Sequence, residues 1–309
     1  DIDLGEEMQT MTTVGKVVRR GWALFALPTV LCFAVFFVVP LAMGIYLSFT
    51  SFRTVTDAKW VGLKNYVDAL SDPEFGAALW RSVLFTIVTT IVVNVVAFLL
   101  AYMFTKAMRG ANLFRSVFFM PNLIGGIVLG YIWKLIFDAF LRSASLQPLL
   151  TNATYGFWGL VILVAWQQIG YMMIIYIAGL QAIPDDMLEA AKIDGAGRWQ
   201  TLWHVTIPNV MPSVTICVFL TLTNSFKLFD QNLALTNGSP QIPGTNIYKT
   251  EMLALHIFKT NGIGNNWKGV AQAEAVIFFI LVAALALLLL LGQVVGTLLI
   301  PALIANVVD

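Results

Sequence analysis

Long apolar runs alternate with short polar segments along most of the chain. A bilayer core about 30 Å thick needs about 20 apolar residues per helix, because lipid offers the backbone no hydrogen-bond partner. The pattern therefore predicts an all-α, polytopic membrane protein with six transmembrane helices over residues 22–292, between a cytoplasmic tail of residues 1–21 and a C-terminal tail of residues 293–309. The predicted spans are Trp22–Phe49, Ser82–Thr105, Val117–Asp138, Gly156–Leu180, Val210–Asp230 and Val270–Gly292.

Composition supports a lipid environment. Hydrophobic residues make up 59% of the chain and charged residues 11%, whereas soluble domains have roughly 45–50% and about 25%. The net charge of +1 argues against a nucleic-acid partner, which would require a basic face. Cys32 and Cys217 lie far apart in apolar stretches, so their spacing favours neither a disulfide framework nor a metal site.

Basic residues favour an N-terminus in the cytoplasm, because Lys and Arg are enriched in cytoplasmic loops. The two sides hold equal numbers of them, but Lys106, Arg109 and Arg115 are densely placed between the second and third spans. We therefore predict that both termini lie inside. The first apolar run is too long for a signal-peptide core of about 7–15 residues and is expected to remain as an anchor.

The loop between the fourth and fifth spans, Gln181–Ile207, differs from the external segments Thr50–Arg81 and Gln231–Gly269, which are typical of loops with short helical pieces. Pro184 followed by two acidic residues predicts the start of a short helix, because proline suits the first turn and acids suit the positive end of the helix dipole. Gly195 and Gly197 then indicate its end or a bend.

The same loop contains a spaced motif. Glu189-Ala190-Ala191-Lys192-Ile193-Asp194-Gly195 is followed, after nine residues, by Val205-Thr206-Ile207-Pro208. Here the chain resembles the binding-protein-dependent ABC importer permeases, whose signature is Glu-Ala-Ala, three residues, Gly, nine residues and Ile-x-Leu-Pro. The resemblance implies a coupling helix that docks on an ATP-binding subunit, with Glu189, Ala190, Ala191, Asp194, Gly195 and Pro208 as the matched coupling positions. The alternative is an ordinary surface helix ended by glycine.

Further segments resemble the carbohydrate permeases of the maltose and oligosaccharide type, and the first permease of their pair. They are Val61-Gly62-Leu63-Lys64-Asn65-Tyr66, the stretch from Ala190 to Arg198, and Phe229-Asp230 through Thr236-Asn237-Gly238-Ser239-Pro240. The resemblance covers roughly residues 22–292 and implies the type I ABC importer fold in a bacterial or archaeal inner membrane. It also implies a sugar substrate, a second homologous permease subunit, two ATP-binding subunits and an extracellular solute-binding protein.

ATP chemistry is not expected of this chain. Its one Gly-Lys pair, Gly15-Lys16, is followed by Val17, so the phosphate-binding loop Gly-x4-Gly-Lys-Ser/Thr does not occur. We therefore expect a non-catalytic subunit without a cofactor, with ATP and Mg²⁺ bound by the partner ATPase.

Polar and aromatic residues in the spans suggest a translocation path. Asn224, Lys227 and Asp230 recur at helical spacing and predict a polar face on the fifth helix. A sugar needs hydroxyl partners and flat apolar surfaces, which Trp133, Trp166, Gln167, Gln168, Tyr171 and Phe226 could supply. The alternatives are an aromatic belt and charges that snorkel to the headgroups, which would include Glu274.

Two glycines and two histidines in the sequence favour structural roles. Gly126 and Gly130 form a small-x3-small pair suited to close helix packing. His204 and His256 lack companions at ligand spacing, so we expect them to be packing or loop residues.

Two other functions remain open at this point. An ion-coupled secondary carrier would show inverted repeats, broken spans and central ionisable residues, and none is evident in the sequence. A membrane-embedded enzyme would need a metal-ligand or nucleophile-base cluster in the spans, and none is evident either.

Overall fold

The protein is described by a computed structural model over residues 26–105, 110–262 and 268–308, and these residues are almost entirely helical. The predicted N-terminal tail and the start of the first span lie outside the described residues. The helices are α1 (Ala26–Ser48), α2 (Lys64–Ser71), α3 (Pro73–Thr105), α4 (Ala111–Phe119), α5 (Gly126–Ser143), α6 (Ala153–Gln181), α7 (Asp185–Ile193), α8 (Arg198–Phe226), α9 (Asp230–Leu235), α10 (Leu253–Gly262) and α11 (Lys268–Val308).

Five of these helices, α1, α3, α6, α8 and α11, are long and apolar enough to cross a membrane. Helix α6 is the central one, because 61% of its apolar window is buried, the largest share among the five. It packs on α3 and α8, and Val93, Met172, Tyr176 and Val210 belong to the core between the three helices. The remaining apolar faces, including α1 with Phe36 79% exposed, suit contact with lipid.

The third predicted span is a bent pair of helices rather than one continuous helix, and with this pair counted as one span the described residues hold the six predicted spans. Helix α4 is followed by a 3₁₀ turn, Met120–Leu123, and the chain then bends by 103° before α5. The cause is local: Pro121 has no amide hydrogen to donate to a continuing helix, and Gly125 and Gly126 follow directly. We call this bend, residues 120–126, the elbow.

Other boundaries also differ from prediction. Helix α3 starts at Pro73 rather than Ser82, and α8 starts at Arg198 and includes a π-helical turn, Leu202–Thr206. The last helix does not stop at Gly292 but continues to Val308. The predicted fifth span is wrong at its end, because α8 finishes at Phe226 and the chain re-enters a helix at Asp230.

The external segments contain the expected short pieces. Thr50–Ser51 and Lys59–Trp60 form a two-stranded antiparallel sheet, and α2, α9 and α10 are short helices. The segments lie at the end of the bundle where α3 begins. Helix α7 lies at the opposite end, because residues from the ends of α3 and α6 share a pocket with α7.

Candidate functional site

Helix α7 is held in the position that the sequence predicted for it. Pro184 precedes its first turn in an extended conformation, and Asp185 and Asp186 lie in that turn, where acids interact favourably with the helix dipole. At the other end, the N–H of Ala196 donates to the carbonyl of Ala191 at 2.9 Å and the N–H of Gly195 donates to the carbonyl of Lys192 at 3.1 Å. This pair of bonds is a Schellman cap.

Gly195 is the residue that makes this cap possible. Its φ of +76° lies in the left-handed region, where a side chain would be strained and glycine is not. The chain therefore reverses sharply after Asp194 and enters α8. The left-handed backbone at position 195 therefore explains why the matched motif has glycine there.

The exposed side of α7 carries most of the matched positions. Glu189, Ala190 and Asp194 are exposed, as is Pro208 at the start of the membrane part of α8, whereas Ala191 is buried against its own chain. Ala191 is therefore not available to a partner. Large apolar side chains are also exposed at this end: Ile193 by 85%, Trp199 by 73% and Trp203 by 60%. An apolar surface of this kind on a protruding segment is typical of a protein interface.

A polar cavity of about 330 Å³ lies beside the middle of α6, next to the elbow. Gln231 donates to the side-chain oxygen of Gln167 at 2.7 Å, and Gln167 donates to the carbonyl of Ile124 at 3.1 Å. Gln168 is 8% exposed, and its side-chain oxygen has no hydrogen-bond partner among the described residues. The cavity is lined by Asn122, Gln167, Gln168, Asn224, Lys227, Leu228, Phe229, Asp230 and Gln231.

The structure brings five of the nine predicted path residues to this cavity. Asn224, Lys227 and Asp230 reach it although they do not share one helix, because the turn after Phe226 folds the chain back beside α6. Gln167 and Gln168 reach it from α6.

The four aromatic residues do not line this cavity. Trp133 and Trp166 contact each other at a centroid distance of 5.4 Å, and Tyr171 lies beside Phe119. Phe226 stacks on Phe278 with centroids 5.6 Å apart. Each of these rings therefore packs against another ring and lies outside the lining of the polar cavity.

Sequence reasoning missed Asn122, which reaches the cavity from the elbow. The signal was available: proline and a glycine pair within an apolar run mark a break. The predicted close packing of Gly126 and Gly130 is confirmed, because an added Cβ would lie 2.8 Å from that of Asp230 and 2.5 Å from that of Ala234. This contact holds α9 against α5.

The fold and the site define a class: an all-helical, multi-pass membrane protein with a polar cavity among its spans and a protruding helix at one end. Residues 108–305 match the family described as "Binding-protein-dependent transport system inner membrane component". The chain belongs to this family.

Relatives and a solved structure agree with that result over nearly the full length. The chain is 40% identical over 291 residues to a probable starch degradation products transport system permease of Thermoanaerobacterium thermosulfurigenes, covering 90% of this chain and 96% of the relative. It is 29% identical to a multiple sugar-binding transport system permease of Streptococcus mutans, covering 89% and 96%. A bacterial ABC transporter chain involved in alginate import has the same fold, with a TM-score of 0.73 at 18% identity over 90% of this chain and 96% of that one.

Family membership decides several open points. The chain is the non-catalytic, multi-pass inner-membrane permease of a bacterial binding-protein-dependent ABC transporter, and ATP is handled by a separate ATPase subunit. The break at the elbow is a feature that the secondary-carrier alternative predicted. The ion-coupled secondary carrier is nevertheless excluded, because the family couples transport to ATP.

Proposed function

We propose that the chain is a permease subunit of an importer for a sugar or oligosaccharide, and that its α7 transmits the ATPase cycle to its spans. In the assembled transporter it pairs with a second homologous permease and contacts one of two ATP-binding subunits. The solute-binding protein delivers the sugar at the end opposite α7. The N-terminus and α7 lie in the cytoplasm, and the sugar names of the relatives support the substrate class.

The observation that carries this proposal is the exposed, capped helix α7 at the end of the core helices. Glu189 offers a charge, Ala190 permits close approach and Ile193 offers an apolar contact, all on exposed positions. The cap at Gly195 joins α7 directly to α8. A push on α7 therefore moves α8, which contributes Asn224 to the polar cavity.

The cavity has the chemistry that a sugar needs. Amide, carboxylate and ammonium groups line it, and sugar hydroxyls both donate and accept hydrogen bonds. The unpartnered oxygen of Gln168 is an acceptor for one such hydroxyl. At about 330 Å³ the cavity lies at the lower end of the range for small-molecule sites, so a longer chain would be passed through it a unit at a time.

Alternating access follows from these two sites. The binding protein and ATP each favour particular arrangements of the permease pair, and the coupling between them is a free energy shared by separated sites. The α7–α8 unit and the elbow are the parts of this chain that change position between those arrangements.

The coupling role is tested in proteoliposomes that contain the full transporter and its loaded binding protein. Glu189→Arg reverses an exposed charge that forms no side-chain hydrogen bond or ion pair within the part of the chain that the structure describes, so we expect sugar uptake to fall at least tenfold while the protein remains folded. Asp68→Arg is the matched control for binding of the ATP-binding subunits, because Asp68 is an exposed acid on a short helix at the other end. We expect less of these subunits to co-purify with Glu189→Arg than with Asp68→Arg. Equal amounts, with uptake retained in Glu189→Arg, would remove α7 from the mechanism.

The substrate path is tested separately. Gln168→Leu and Asn224→Leu replace cavity amides with apolar groups of similar size, and we expect both to abolish uptake while ATPase-subunit binding is retained. Thr215→Leu is the control on α8, since the Thr215 hydroxyl bonds its own helix at Met211 and does not line the cavity. A panel of neutral sugars, polyols and glycerol phosphate in the same assay identifies the substrate class.

A further inference from the structure

A cluster of ionisable side chains is buried at the end of the bundle opposite α7. His256 lies in α10 and is 4% exposed, and Glu274 lies in the second turn of α11 and is 0% exposed. Asp72 lies at the junction of α2 and α3 and is half-buried. The alternative in which charges snorkel to the headgroups does not apply to Glu274, because its side chain is buried in the protein.

One nitrogen of His256 is already used. Its Nδ1 lies 2.9 Å from Oε1 of Glu251, whose other oxygen bonds Lys259. Glu251 thus fixes the ring. Within the described residues, the second nitrogen, Nε2, has as a hydrogen-bond partner only a long contact of 3.5 Å with the Thr260 hydroxyl, which also donates to the His256 carbonyl at 3.1 Å. This carboxylate–histidine pairing is the one that orients histidine ligands in metal sites.

Two carboxylates lie close to the ring of His256. One oxygen each of Asp72 and Glu274 and a ring nitrogen of His256 all lie within 4.8 Å of one another. The shorter approach is Nε2 to Oε1 of Glu274, at 3.6 Å. The sequence missed this group because its members are separated by about 180 and 20 residues and share no ligand spacing.

Glu274 provides the second, independent observation. Neither of its carboxylate oxygens has a hydrogen-bond partner among the described residues, although both are buried. A buried carboxylate without a partner costs several kcal/mol, so such groups are usually paired or coordinate a metal. The second carboxylate of the cluster, that of Asp72, accepts the N–H of Glu74 through Oδ1 at 2.8 Å. Its other oxygen is left for a cation.

The basic side chains near the cluster do not pair with the carboxylate of Glu274. Lys259 is engaged by Glu251 and by the carbonyl of Asn237, and Arg81 donates to the carbonyl of Glu251. Within the described residues, His256 is therefore the one base within ion-pair distance of Glu274, and Asp72 has none. A divalent cation beside a neutral His256 neutralises the negative charges of both Asp72 and Glu274. A protonated His256 ring neutralises only one of them.

We propose that Asp72, His256 and Glu274 form a binding site for a divalent metal ion of the zinc class. One imidazole nitrogen and two carboxylate oxygens are a ligand set that Zn²⁺ accepts, with a water molecule as the fourth ligand. A tetrahedral zinc ion with bonds of about 2.0–2.2 Å separates its ligand atoms by about 3.4 Å, so modest side-chain rotation closes the site. The ion ties the α2–α3 junction, α10 and α11 together on the face where the binding protein docks.

A proton is the competitor for this site. Burial lowers the pKa of His256, but the carboxylates of Glu251 and Glu274 raise it to about 9. The experiment must therefore distinguish a metal from a charged ring.

Metal content decides between them. The full transporter is purified with a cleaved affinity tag, stripped with a chelator, dialysed against Zn²⁺ and analysed by mass spectrometry and by zinc X-ray absorption. We expect about one zinc ion per copy of this chain, bound by nitrogen and oxygen only. Asp72→Asn and Glu274→Gln are expected to weaken zinc binding at least tenfold, and Glu251→Gln to weaken it 10- to 100-fold through the ring orientation.

Asp68→Asn is the matched control, because it removes an exposed carboxylate from α2 without touching the site. Size-exclusion profiles and chelator-treated melting curves show whether each variant is folded. If Glu274→Gln fails this check, the half-buried and conservative Asp72→Asn decides. Absence of zinc from the wild type would overturn the proposal in favour of a protonated His256, and so would equal zinc in wild type, Asp72→Asn and Asp68→Asn, which would indicate an adventitious ion only.

The outcome is independent of the proposed sugar transport. Zinc binding is read from metal content, whereas the coupling variants are read from uptake. Either proposal can therefore fail while the other stands.

Discussion

Gly170 is the position where α4 packs most closely against α6. A Cβ added there would overlap the main-chain carbonyl of Phe118 in α4, which is backbone and cannot rotate away. Gly170 lies one turn after Gln167, which bonds the elbow at Ile124. Gly170→Ala is therefore expected to push α4 and the elbow away from the polar cavity.

The magnitude follows from two opposing effects. Alanine stabilises a helix interior over glycine by about 0.5–1 kcal/mol, and overpacking against a fixed neighbour costs about 1–3 kcal/mol, occasionally more. Because the obstacle is backbone, we take the upper end of that cost and expect a net loss of about 2 kcal/mol, or roughly 30-fold in the unfolding equilibrium. With about 2–4 °C per kcal/mol for chains approaching this size, the melting temperature falls by about 4–8 °C.

Thermal unfolding in detergent measures this, with Gly76→Ala as the matched control. Gly76 is also within a membrane-type helix, but an added Cβ meets nothing within 4 Å, so its replacement is expected to leave stability unchanged or raise it slightly. Sugar uptake should fall in Gly170→Ala alone. If both variants melt and transport alike, the close approach of α4 to α6 is incorrect.

Three further outcomes follow from the same contacts. Tyr176→Phe removes the bond that Tyr176 donates to the half-buried Asn94 at 2.7 Å, which is expected to cost about 1 kcal/mol in a thermal melt; an unchanged melt would exclude that bond. Gly195→Val forces a β-branched residue into left-handed backbone at a cost of about 1–2 kcal/mol and should impair ATPase-subunit binding more than Gly195→Asn; equal binding would contradict the cap. Backbone N–H groups, chiefly that of Thr54, hold the pKa of Asp57 below its usual range, so the turn is stabilised above pH about 4 and should lose amide-exchange protection as the pH falls further. Asp57→Ala, which removes the acceptor of both N–H groups, should abolish this protection at neutral pH.

The apolar runs predicted most of the fold because burial in lipid imposes a minimum length on each span. The length requirement does not determine whether a span is one continuous helix. The elbow was therefore missed, although Pro121 and the glycines after it indicate a break. Helix α7 was predicted correctly from Pro184, the acids and Gly195, since capping is a local property of the chain.

The candidate sites show the same difference between local patterns, which the sequence reveals, and long-range contacts, which it does not. Asn224, Lys227 and Asp230 were grouped from helical spacing, and the structure groups them through a turn instead. Trp133 and Phe226 are path candidates by chemical type alone, and in the structure they pack against Trp166 and Phe278 and do not line the cavity. The cluster around His256 depends on contacts between residues far apart in the chain, which no periodicity reveals.

Crosslinking from Ile193 tests the coupling role of α7 most directly. Ile193→Cys is introduced in a Cys32→Ser background, because Cys32 is exposed while Cys217 is buried. In inverted and right-side-out vesicles of the full transporter, we predict a crosslink from position 193 to an ATP-binding subunit and labelling by a membrane-impermeant thiol reagent from the cytoplasmic side alone. Labelling from the outer side, or failure to crosslink to that subunit, would contradict the mechanism.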